Sequence, residues 1–284
     1  MRFTKMHGCG NDYVYLDAIG DDLPPPRRWP ALARALSDRH TGIGGDGLIV
    51  LAPSRRAEVR MVMFNADGSL SEMCGNGIRC LAKLARDRGH ITKDRVAIET
   101  GAGILTVDLL LKQGEVVGAR VGMGRPRLSP TEVPVDLDRP GPLLHLPLAV
   151  AGHQLRFTCV GMGNPHAVVF VADPETFPVT TVGPVVEQHA RFPNRTNVEF
   201  VCRLPDERGR PVLRLRTWER GSGETLACGT GACAATVAAI LDGVIDQREA
   251  TVRLSGGDLR IAWPDDTAEV VMEGPAVTVF TGEI

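Results

Sequence analysis

The hydrophobic positions along the chain follow mostly the pattern of β-strands. Short runs of Val, Ile, Leu and Phe alternate with polar residues, as in VLRLRTW at 212–218, and a period of two is typical of half-buried strands. A helical spacing is rarer and predicts helices at 30–39, 77–88, 182–191 and 231–241. We therefore expect an α/β (α+β) fold dominated by strands. The predicted strands are 12–18, 48–52, 60–64, 96–98, 104–111, 117–121, 166–171, 198–203, 212–217, 250–254, 258–263 and 276–281.

A proline-rich segment interrupts this pattern near the middle of the chain. Proline has no backbone N–H and a fixed φ, so it is excluded from central strands and helix interiors. We therefore interpret the segment as a linker or an extended edge. Its prolines are Pro126, Pro130, Pro134, Pro140, Pro142 and Pro147.

Short sequence elements of the first half recur in the second half in the same order. Arg2-Phe3-Thr4 returns at 156–158, and CGNG at 74–77 returns as CGTG at 228–231, both offset by 154 positions. Gly10-Asn11 returns at 163–164, and Phe64-Asn65 aligns with 218–219. The period is too long for a solenoid, so it predicts two similar halves. If these face each other, each half presents its cysteine to one shared cleft.

Length, charge and composition limit the function. At 284 residues the chain is long enough for about two domains. A net charge of −2 and 5% aromatic residues argue against a nucleic-acid partner. The apolar run 226–241 is too short and too mild to span a bilayer. Seven cysteines without an export signal favour reduced thiols and a cytoplasmic location.

The two Cys-Gly-x-Gly elements predict acid–base chemistry. Each precedes a predicted helix, whose free N–H groups and positive dipole end bind anions and lower the pKa of a nearby thiol. A thiolate on one side of a chiral carbon and a thiol on the other can remove and return a proton, which inverts the centre. A substrate with a carboxylate beside an acidic C–H, such as an amino acid, fits this scheme.

The same residues also allow other interpretations, which the sequence favours or disfavours to different degrees. Most buried cysteines are inert, and we assign Cys9, Cys80, Cys159, Cys202 and Cys233 to that class. The cysteine spacings do not match zinc sites, so no metal is expected. No lysine lies in the glycine-rich elements, which argues against pyridoxal phosphate. The stretch GIGGDG at 42–47 opens no helix, so we interpret it as a turn rather than a dinucleotide site.

With these motifs in view, the chain resembles the diaminopimelate epimerase family over nearly its whole length. The resembling stretches are FTKMHGCGNDYVYLD, RHTGIGGDGLIVL, MFNADGSLSEMCGNGIRC, GMGNPHAVVF, RTNVEF and WERGSGETLACGTGACA. The resemblance implies a cofactor-independent isomerase that interconverts LL- and meso-2,6-diaminopimelate, a small-molecule amino acid, on the route to lysine and peptidoglycan.

The resemblance also implies an architecture. Two pseudo-symmetric domains are expected, each a barrel-like β-sheet around a central helix, with the active site in the cleft between them. The last strands of the family return to the first domain. We therefore expect one domain at 1–122 plus 272–284 and the other at 123–271, assembled as a homodimer.

The resemblance assigns the family's site residues to matching positions of this chain. The catalytic pair corresponds to Cys74 and Cys228, and His166 and Glu219 correspond to residues that help to set the protonation of the thiols. One departure is Gly47, where some members have Gln, so no contact is expected there. The substrate-binding positions are Asn11, Asn65, Gly75, Asn76, Asn164, Asn197, Glu219, Arg220, Gly229 and Thr230.

Two alternative functions remain. Proline or hydroxyproline racemases also use two thiols, but they typically carry His where this chain has Asn76, and a cyclic imino acid leaves Glu219 and Arg220 unexplained. A non-catalytic thiol protein, acting as a redox switch or a metal binder, is the alternative from another class.

Overall fold

The computed structural model describes every residue from Met1 to Ile284. The chain divides into two compact units, which we call unit 1 (residues 1–122 and 273–284) and unit 2 (residues 123–272). Strands outnumber helices in both units. The predicted mixed α and β class dominated by strands is therefore confirmed.

The first part of the chain alternates strands with two α-helices. Helix α1 follows the second strand, and helix α2 follows the short fifth strand. The elements are β1 (Arg2–Gly8), β2 (Asn11–Asp17), α1 (Trp29–Ser37), β3 (Gly47–Ala52), β4 (Val59–Asn65), β5 (Leu70–Ser71), α2 (Gly75–Asp87), β6 (Arg95–Thr100), β7 (Gly103–Lys112) and β8 (Glu115–Gly122).

The rest of the chain repeats this order after one additional strand, β9. Helix α3 takes the place of α1, and helix α4 takes the place of α2. The elements are β9 (Leu143–Val150), β10 (His153–Gly161), β11 (Pro165–Phe170), α3 (Val179–Glu187), β12 (Asn197–Glu207), β13 (Arg210–Glu219), β14 (Gly223–Thr225), α4 (Gly229–Leu241), β15 (Glu249–Leu254), β16 (Gly257–Ala262), β17 (Val271–Pro275) and β18 (Val277–Glu283).

Strand pairing follows the same scheme in the two units. In unit 1, β1 pairs antiparallel with β2, β2 parallel with β3, β3 antiparallel with β4, and β4 parallel with β6. In unit 2, β10, β11, β12, β13 and β15 pair in the same order and directions. Strand β9 lies antiparallel to β10, and the C-terminal β18 takes the corresponding place beside β1. The repeat in the sequence therefore reflects two halves of one topology.

Each unit packs its strands around one buried helix. Helix α2 contacts β1, β2, β3, β4, β7 and β8, and helix α4 contacts β10, β11, β12, β13, β15 and β16. Helix α4 is built mainly from small residues, including the fully buried Ala234, Ala235 and Ala238. Small side chains let strands approach on all sides, so a helix that is apolar all round must lie in the core. The predicted central helix is confirmed in both units.

The proline-rich segment ends in a strand that the sequence pattern did not predict. Strand β9 contains Pro147, which lies opposite Arg156 of β10. Because proline cannot donate to a neighbouring strand, it is tolerated where one side of the strand needs no donor. The alternative of an extended edge is therefore correct for this part of the segment. None of the helices combines the length and the apolar character that crossing a bilayer requires.

Helix α3 packs closely on the end of β13 through Trp218. A Cβ atom at Gly183 would lie 2.6 Å from Cγ and 2.7 Å from Cβ of Trp218. The indole Nε1 donates to Oε2 of Glu187 at 2.7 Å. Glycine at 183 is therefore required by the close approach, and the contact holds the strand end that carries Glu219.

Substitution Gly183→Ala should destabilise the protein. Alanine favours a helix over glycine by about 1 kcal/mol, but overpacking against a rigid indole costs about 1–3 kcal/mol, so we expect a net loss. Urea unfolding measures the change in the free energy of unfolding. The exposed Thr181→Ala in the same helix is the matched control, which should be neutral or slightly stabilising. An unchanged or increased stability of Gly183→Ala would contradict the close packing.

Candidate active site

Cys74 and Cys228 are the N-cap residues of the two central helices. Each has an extended backbone, and its sulfur accepts the N–H of the third helical residue: Gly77 at 3.4 Å and Gly231 at 3.3 Å. The first N–H groups of a helix have no partner within the helix, and a side chain with a lone pair at the N-cap satisfies one of them. Both helices therefore begin two residues earlier than the sequence pattern predicted.

The pKa values of both thiols differ from the sequence-based expectation. Burial raises the pKa of Cys74, although the N–H of Gly77, the Tyr13 hydroxyl, the N–H of Asn76 and the charge of Arg79 oppose this effect. The helix N-terminus thus does act in the expected direction. Desolvation of the charged form outweighs it in this structure.

The pKa of Cys228 is raised further, well above its usual value. Burial is again the largest cause, and the negative charges of Glu219 and Glu199 add to it. The Thr230 hydroxyl, whose oxygen lies 3.4 Å from the sulfur, and the N–H of Gly231 oppose the shift. The two equivalent thiols therefore have different electrostatic surroundings within their own units.

One side-chain amide contacts the Cys74 sulfur in unit 1, and a second amide donates to the first. The oxygen Oδ1 of Asn11 lies 3.3 Å from Sγ of Cys74 and accepts from Nδ2 of Asn76 at 3.3 Å. A turn places Asn11 there, and Gly10 has a φ of 81° in that turn. Its counterpart Gly163, before Asn164, has a φ of 90°. This left-handed backbone favours glycine, which accounts for the repeated Gly-Asn pair.

Two charged residues fix the orientation of these amides. Asp46 accepts from Nδ2 of Asn11 at 2.6 Å, so the amide oxygen of Asn11 must face Cys74. The fully buried Arg79 donates to Oδ1 of Asn76 at 2.9 Å, so the Asn76 amide nitrogen is left to donate. An ionised carboxylate only accepts and a guanidinium only donates. Asp46 therefore fixes the orientation of the Asn11 amide, and Arg79 fixes that of the Asn76 amide.

A buried polar chain lies behind Asn164 in unit 2. Nε2 of His166 lies 2.9 Å from Oδ1 of Asn164, and Nδ1 lies 2.7 Å from Oε1 of Glu199. Glu199 also accepts from the Thr217 hydroxyl at 2.6 Å. His166 and Glu199 are both fully buried, and buried polar groups of this kind are stable only when they are hydrogen-bonded.

Glu199 also accounts for the second glycine of CGTG. A Cβ atom at Gly231 would lie 2.7 Å from both carboxylate oxygens of Glu199. The carboxylate thus packs directly on the first turn of α4, where the positive end of the helix dipole lies.

Asn197 has partners at both ends of its amide group. Its Oδ1 accepts the backbone N–H of Arg220 at 2.8 Å, and its Nδ2 donates to the carbonyl of Pro165 at 2.9 Å. Asn197 is buried, so it joins the turn at Arg220 to the start of β11. Asn197 therefore supports that turn.

The remaining predicted residues lie at the ends of strands and helices. Glu219 ends β13 and accepts from the Thr225 hydroxyl, and the exposed Arg220 donates to the carbonyl of Asn194 at 2.9 Å. Asn65 ends β4, is exposed, and donates to the Ser69 hydroxyl at 2.9 Å. Gly75 and Gly229 are the first residues of α2 and α4.

A family model described as diaminopimelate epimerase matches residues 3–129 and 158–279. The chain belongs to the diaminopimelate epimerase family. Curated relatives of that name include proteins from Moorella thermoacetica, 50% identical over 100% of this chain and 99% of theirs. Another, from Acetivibrio thermocellus, is 48% identical over 100% of this chain and 98% of its own. A third, from Methanococcus maripaludis, is 46% identical over 100% of this chain and 99% of its own. The predicted family is confirmed.

Solved structures share the fold of this diaminopimelate epimerase family member. A phenazine biosynthesis protein of the PhzF family from Bacillus anthracis superposes with a TM-score of 0.70 at 17% identity, over 100% of this chain and 98% of that one. A hydroxyproline epimerase from Agrobacterium vitis gives a TM-score of 0.69 at 16% identity, over 99% of this chain and 91% of that one. At such identities the likeness concerns the fold alone.

Some residues in contact with predicted site residues escaped the sequence analysis of this family member. Asp46 lies in GIGGDG, which was interpreted only as a turn. Tyr13 and Glu199 lie in strands and look like ordinary core positions. A signal for Tyr13 did exist, because it lies two residues after Asn11 as His166 lies two residues after Asn164. The structure shows no group of three or more His, Cys, Asp or Glu side chains placed to hold a metal ion.

Without substrate, iodoacetamide should alkylate Cys74 at a lower pH than Cys228. Both pKa values are raised, so each reactive thiolate is lost as the pH falls through the raised pKa, and Cys228 needs the more alkaline solution. Mass spectrometry of the alkylated peptides across neutral to strongly alkaline pH measures both midpoints. Cys159, whose pKa burial raises to about 12, is the unreactive control. Equal midpoints, or earlier reaction of Cys228, would disprove the predicted order.

Proposed function

We propose that this chain interconverts LL- and meso-2,6-diaminopimelate by a two-base mechanism without a cofactor. The observation that carries the proposal is the pair of N-cap cysteines at equivalent places in two units of one topology. Membership of the diaminopimelate epimerase family supports the substrate. The reaction moves only a proton, so an acid and a base at one carbon are sufficient.

The proposed chemistry assigns opposite roles to the two thiols. One sulfur, as thiolate, takes the proton from the α-carbon and becomes a thiol. The other, as thiol, gives its proton to the opposite face of the carbanion and becomes a thiolate. The roles exchange in the reverse direction. At the end, one proton has left and one has arrived, and only the configuration has changed.

The helix N-termini provide the electrostatic part of the proposal. Deprotonation next to a carboxylate builds negative charge on its oxygens, and N–H groups aimed at those oxygens stabilise that charge. The first residues of the two helices, Gly75 with Asn76 and Gly229 with Thr230, are the assigned donors. Such N–H groups are already in place before the reaction, so no reorganisation is needed.

Substrate binding should itself promote thiolate formation. Burial makes each thiolate costly in the free protein. The α-ammonium group of diaminopimelate carries a positive charge, and an opposite charge nearby favours the ionised form of a thiol. We therefore propose that the thiol and thiolate pair forms mainly when substrate is bound.

The far end of diaminopimelate distinguishes this substrate from a cyclic imino acid. It carries a second carboxylate and a second ammonium group, for which Arg220 and Glu219 provide complementary charges. Asn65 and Asn164 offer amide groups that suit a zwitterion, while Asn197 holds the Arg220 turn in place. We assign His166, paired with Glu199, to the support of Asn164.

The cellular setting is part of the same proposal. Reduced thiols are required by the chemistry, and none of the seven cysteines forms a disulfide in the structure. A reducing cytoplasm keeps such thiols active. We propose that the protein works there as a homodimer, which size-exclusion chromatography with light scattering can test.

In deuterated water, the protein with reductant and no added cofactor should convert LL-diaminopimelate and place deuterium on the inverted carbon. The proton removed by one thiol exchanges with solvent or stays on that thiol, while the new one comes from the other. Mass spectrometry and proton NMR of the product measure the label. L-Proline is the control substrate and should stay unchanged. Complete retention of protium would exclude two separate bases, and racemisation of proline alone would favour the rival function.

Substitutions Cys74→Ala and Cys228→Ala should each lower kcat by about 10³-fold or more, because each removes one of the two proton carriers. Loss of an N-cap costs about 1 kcal/mol, so circular dichroism should show an intact fold. Cys159→Ala, at a buried cysteine of β10, is the matched control and should retain activity. Near-normal turnover by either catalytic variant would refute its assigned role.

A further inference from the structure

Glu199 occupies in unit 2 the place that Ile49 occupies in unit 1. Ile49 lies on β3, which pairs in parallel with β2, and Glu199 lies on β12, which pairs in parallel with β11. Both pack against the second glycine of a Cys-Gly-x-Gly element. A Cβ atom at Gly77 would lie 2.5 Å from Cδ1 of Ile49. One at Gly231 would lie 2.7 Å from both carboxylate oxygens of Glu199. The same packing position is thus apolar in one unit and acidic in the other.

Packing alone does not require a carboxylate at this position. Ile49 fills the equivalent space in unit 1, and replacing a buried ion pair by apolar residues of similar volume is often neutral or stabilising. The next strand repeats the contrast, because Thr217 lies opposite Glu199 where Met63 lies opposite Ile49. A fully buried carboxylate is costly unless it is paired. A costly group that the packing does not need points to a role in function.

Contacts of Glu199 and Asn164 place a hydrogen on both ring nitrogens of His166. The Thr217 hydroxyl donates to Oε2 of Glu199 at 2.6 Å, and Nδ1 of His166 lies 2.7 Å from Oε1. An ionised carboxylate only accepts, so Nδ1 carries a hydrogen. Nε2 of the same ring lies 2.9 Å from Oδ1 of Asn164, which also only accepts. The ring therefore carries two hydrogens and a positive charge, and it forms a buried ion pair with Glu199.

No second cation competes for this carboxylate among the ion pairs of the structure. Two other titratable groups lie near the start of α4. They are the Cys228 thiol and the Glu219 carboxylate at the end of β13. Neither group is a cation, so His166 is the positive partner of Glu199 there.

The two equivalent asparagines are held in opposite orientations. In unit 1, the Asp46 carboxylate accepts from Nδ2 of Asn11 at 2.6 Å, and the Asn11 oxygen faces Cys74. In unit 2, His166 instead donates to Oδ1 of Asn164, so Nδ2 of Asn164 is left to donate. An anion behind one asparagine and a cation behind the other thus make an acceptor of the first and a donor of the second.

We propose that Glu199 is a positioning residue, which keeps His166 doubly protonated and thereby leaves the Asn164 amide nitrogen to donate to a substrate carboxylate. The inference rests on the proposed function, in which Asn164 binds diaminopimelate, and adds a role that the sequence analysis did not assign. Glu199 transfers no proton and touches no reacting atom. It acts through His166 on the orientation of one amide.

Substitution Glu199→Gln removes the charge and keeps the size of the side chain. The glutamine oxygen can still accept from Nδ1 of His166, so the ring should keep one hydrogen there and have none on Nε2. A bare Nε2 only accepts, so the Asn164 amide should turn, donate to it, and present its oxygen instead. Glu249→Gln is the matched control, because it removes a carboxylate of β15 in the same unit that is paired with Arg260.

Nitrogen NMR of histidine-labelled protein measures the ring hydrogens without any substrate. His166→Gln identifies the His166 signals among those of the seven histidines. At neutral pH, both ring nitrogens of His166 should be protonated in the wild type and in Glu249→Gln, and only Nδ1 in Glu199→Gln. A bare nitrogen in the wild type, or two protonated nitrogens in Glu199→Gln, would overturn the proposal.

Turnover supplies a second readout. In Glu199→Gln, kcat/KM for diaminopimelate should fall about 10- to 100-fold, mainly through a higher KM, because a donor to a charged group becomes an acceptor. Glu249→Gln should keep both constants. In an Asn164→Ala background, Glu199→Gln should cost little more, since both changes act on the same amide. Fully additive losses, or a loss confined to kcat, would contradict the role of Glu199.

The double variant Glu199→Ile with Thr217→Met reproduces the unit 1 residues and separates a structural role from the proposed one. Its urea midpoint should be no lower than that of the wild type, while its KM should rise as in Glu199→Gln. A large loss of stability would mark the carboxylate as structural and overturn the proposal. Failure of the wild type to convert diaminopimelate would instead overturn the proposed function, because the NMR and urea measurements need no substrate.

Discussion

A hydrogen bond from a helix N–H to a cysteine sulfur is the interaction on which each unit depends. The central helices are buried, so the unpaired N–H groups of their first turns need acceptors inside the protein. Cys74 and Cys228 supply one acceptor each, from Gly77 and Gly231. The same bond places a reactive sulfur at the N-terminal end of the helix, where the N–H groups have no partner within the helix. The sulfur that accepts this N–H is therefore also the atom that the proposed reaction uses.

Burial stabilises the central helices but raises the pKa of each thiol, and the polar neighbours of each sulfur modify that rise. The packing that stabilises α2 and α4 also removes the water that a thiolate needs, and both pKa values rise. The groups that lower the pKa of Cys74 are donors and a cation, whereas the carboxylates of Glu219 and Glu199 raise the pKa of Cys228. One topology therefore supports two different electrostatic settings, because side chains diverged while strand pairing did not. We interpret this difference as the reason that the two thiols need not be equivalent in the free protein.

Particular elements show how far sequence reasoning reached. The pattern around α4 predicted a buried helix, since its residues are apolar on every side. The predicted start was two residues too late, because a cysteine N-cap is unusual. Strand β9 was missed because Pro147 argues against a strand, and pairing with β10 overrode that preference. The backbone partners of Asn197, the Arg220 N–H and the Pro165 carbonyl, could not be predicted from the sequence. No local pattern reveals which partners a buried amide will find.

The strand-rich class, the repeated halves, the paired cysteines and the family could all be predicted from the order of the amino acids. Those features depend on periodicity and on motifs that are local in the chain, so they can be read without coordinates. Which charges lie near each sulfur follows only from the packing of the chain, because Asp46 and Glu199 reach Asn11 and His166 between neighbouring parallel strands. The same packing also sets the direction of the thiol pKa shifts, since desolvation depends on neighbours from every side. Local order follows from nearest neighbours along the chain, whereas reactivity follows from nearest neighbours in space.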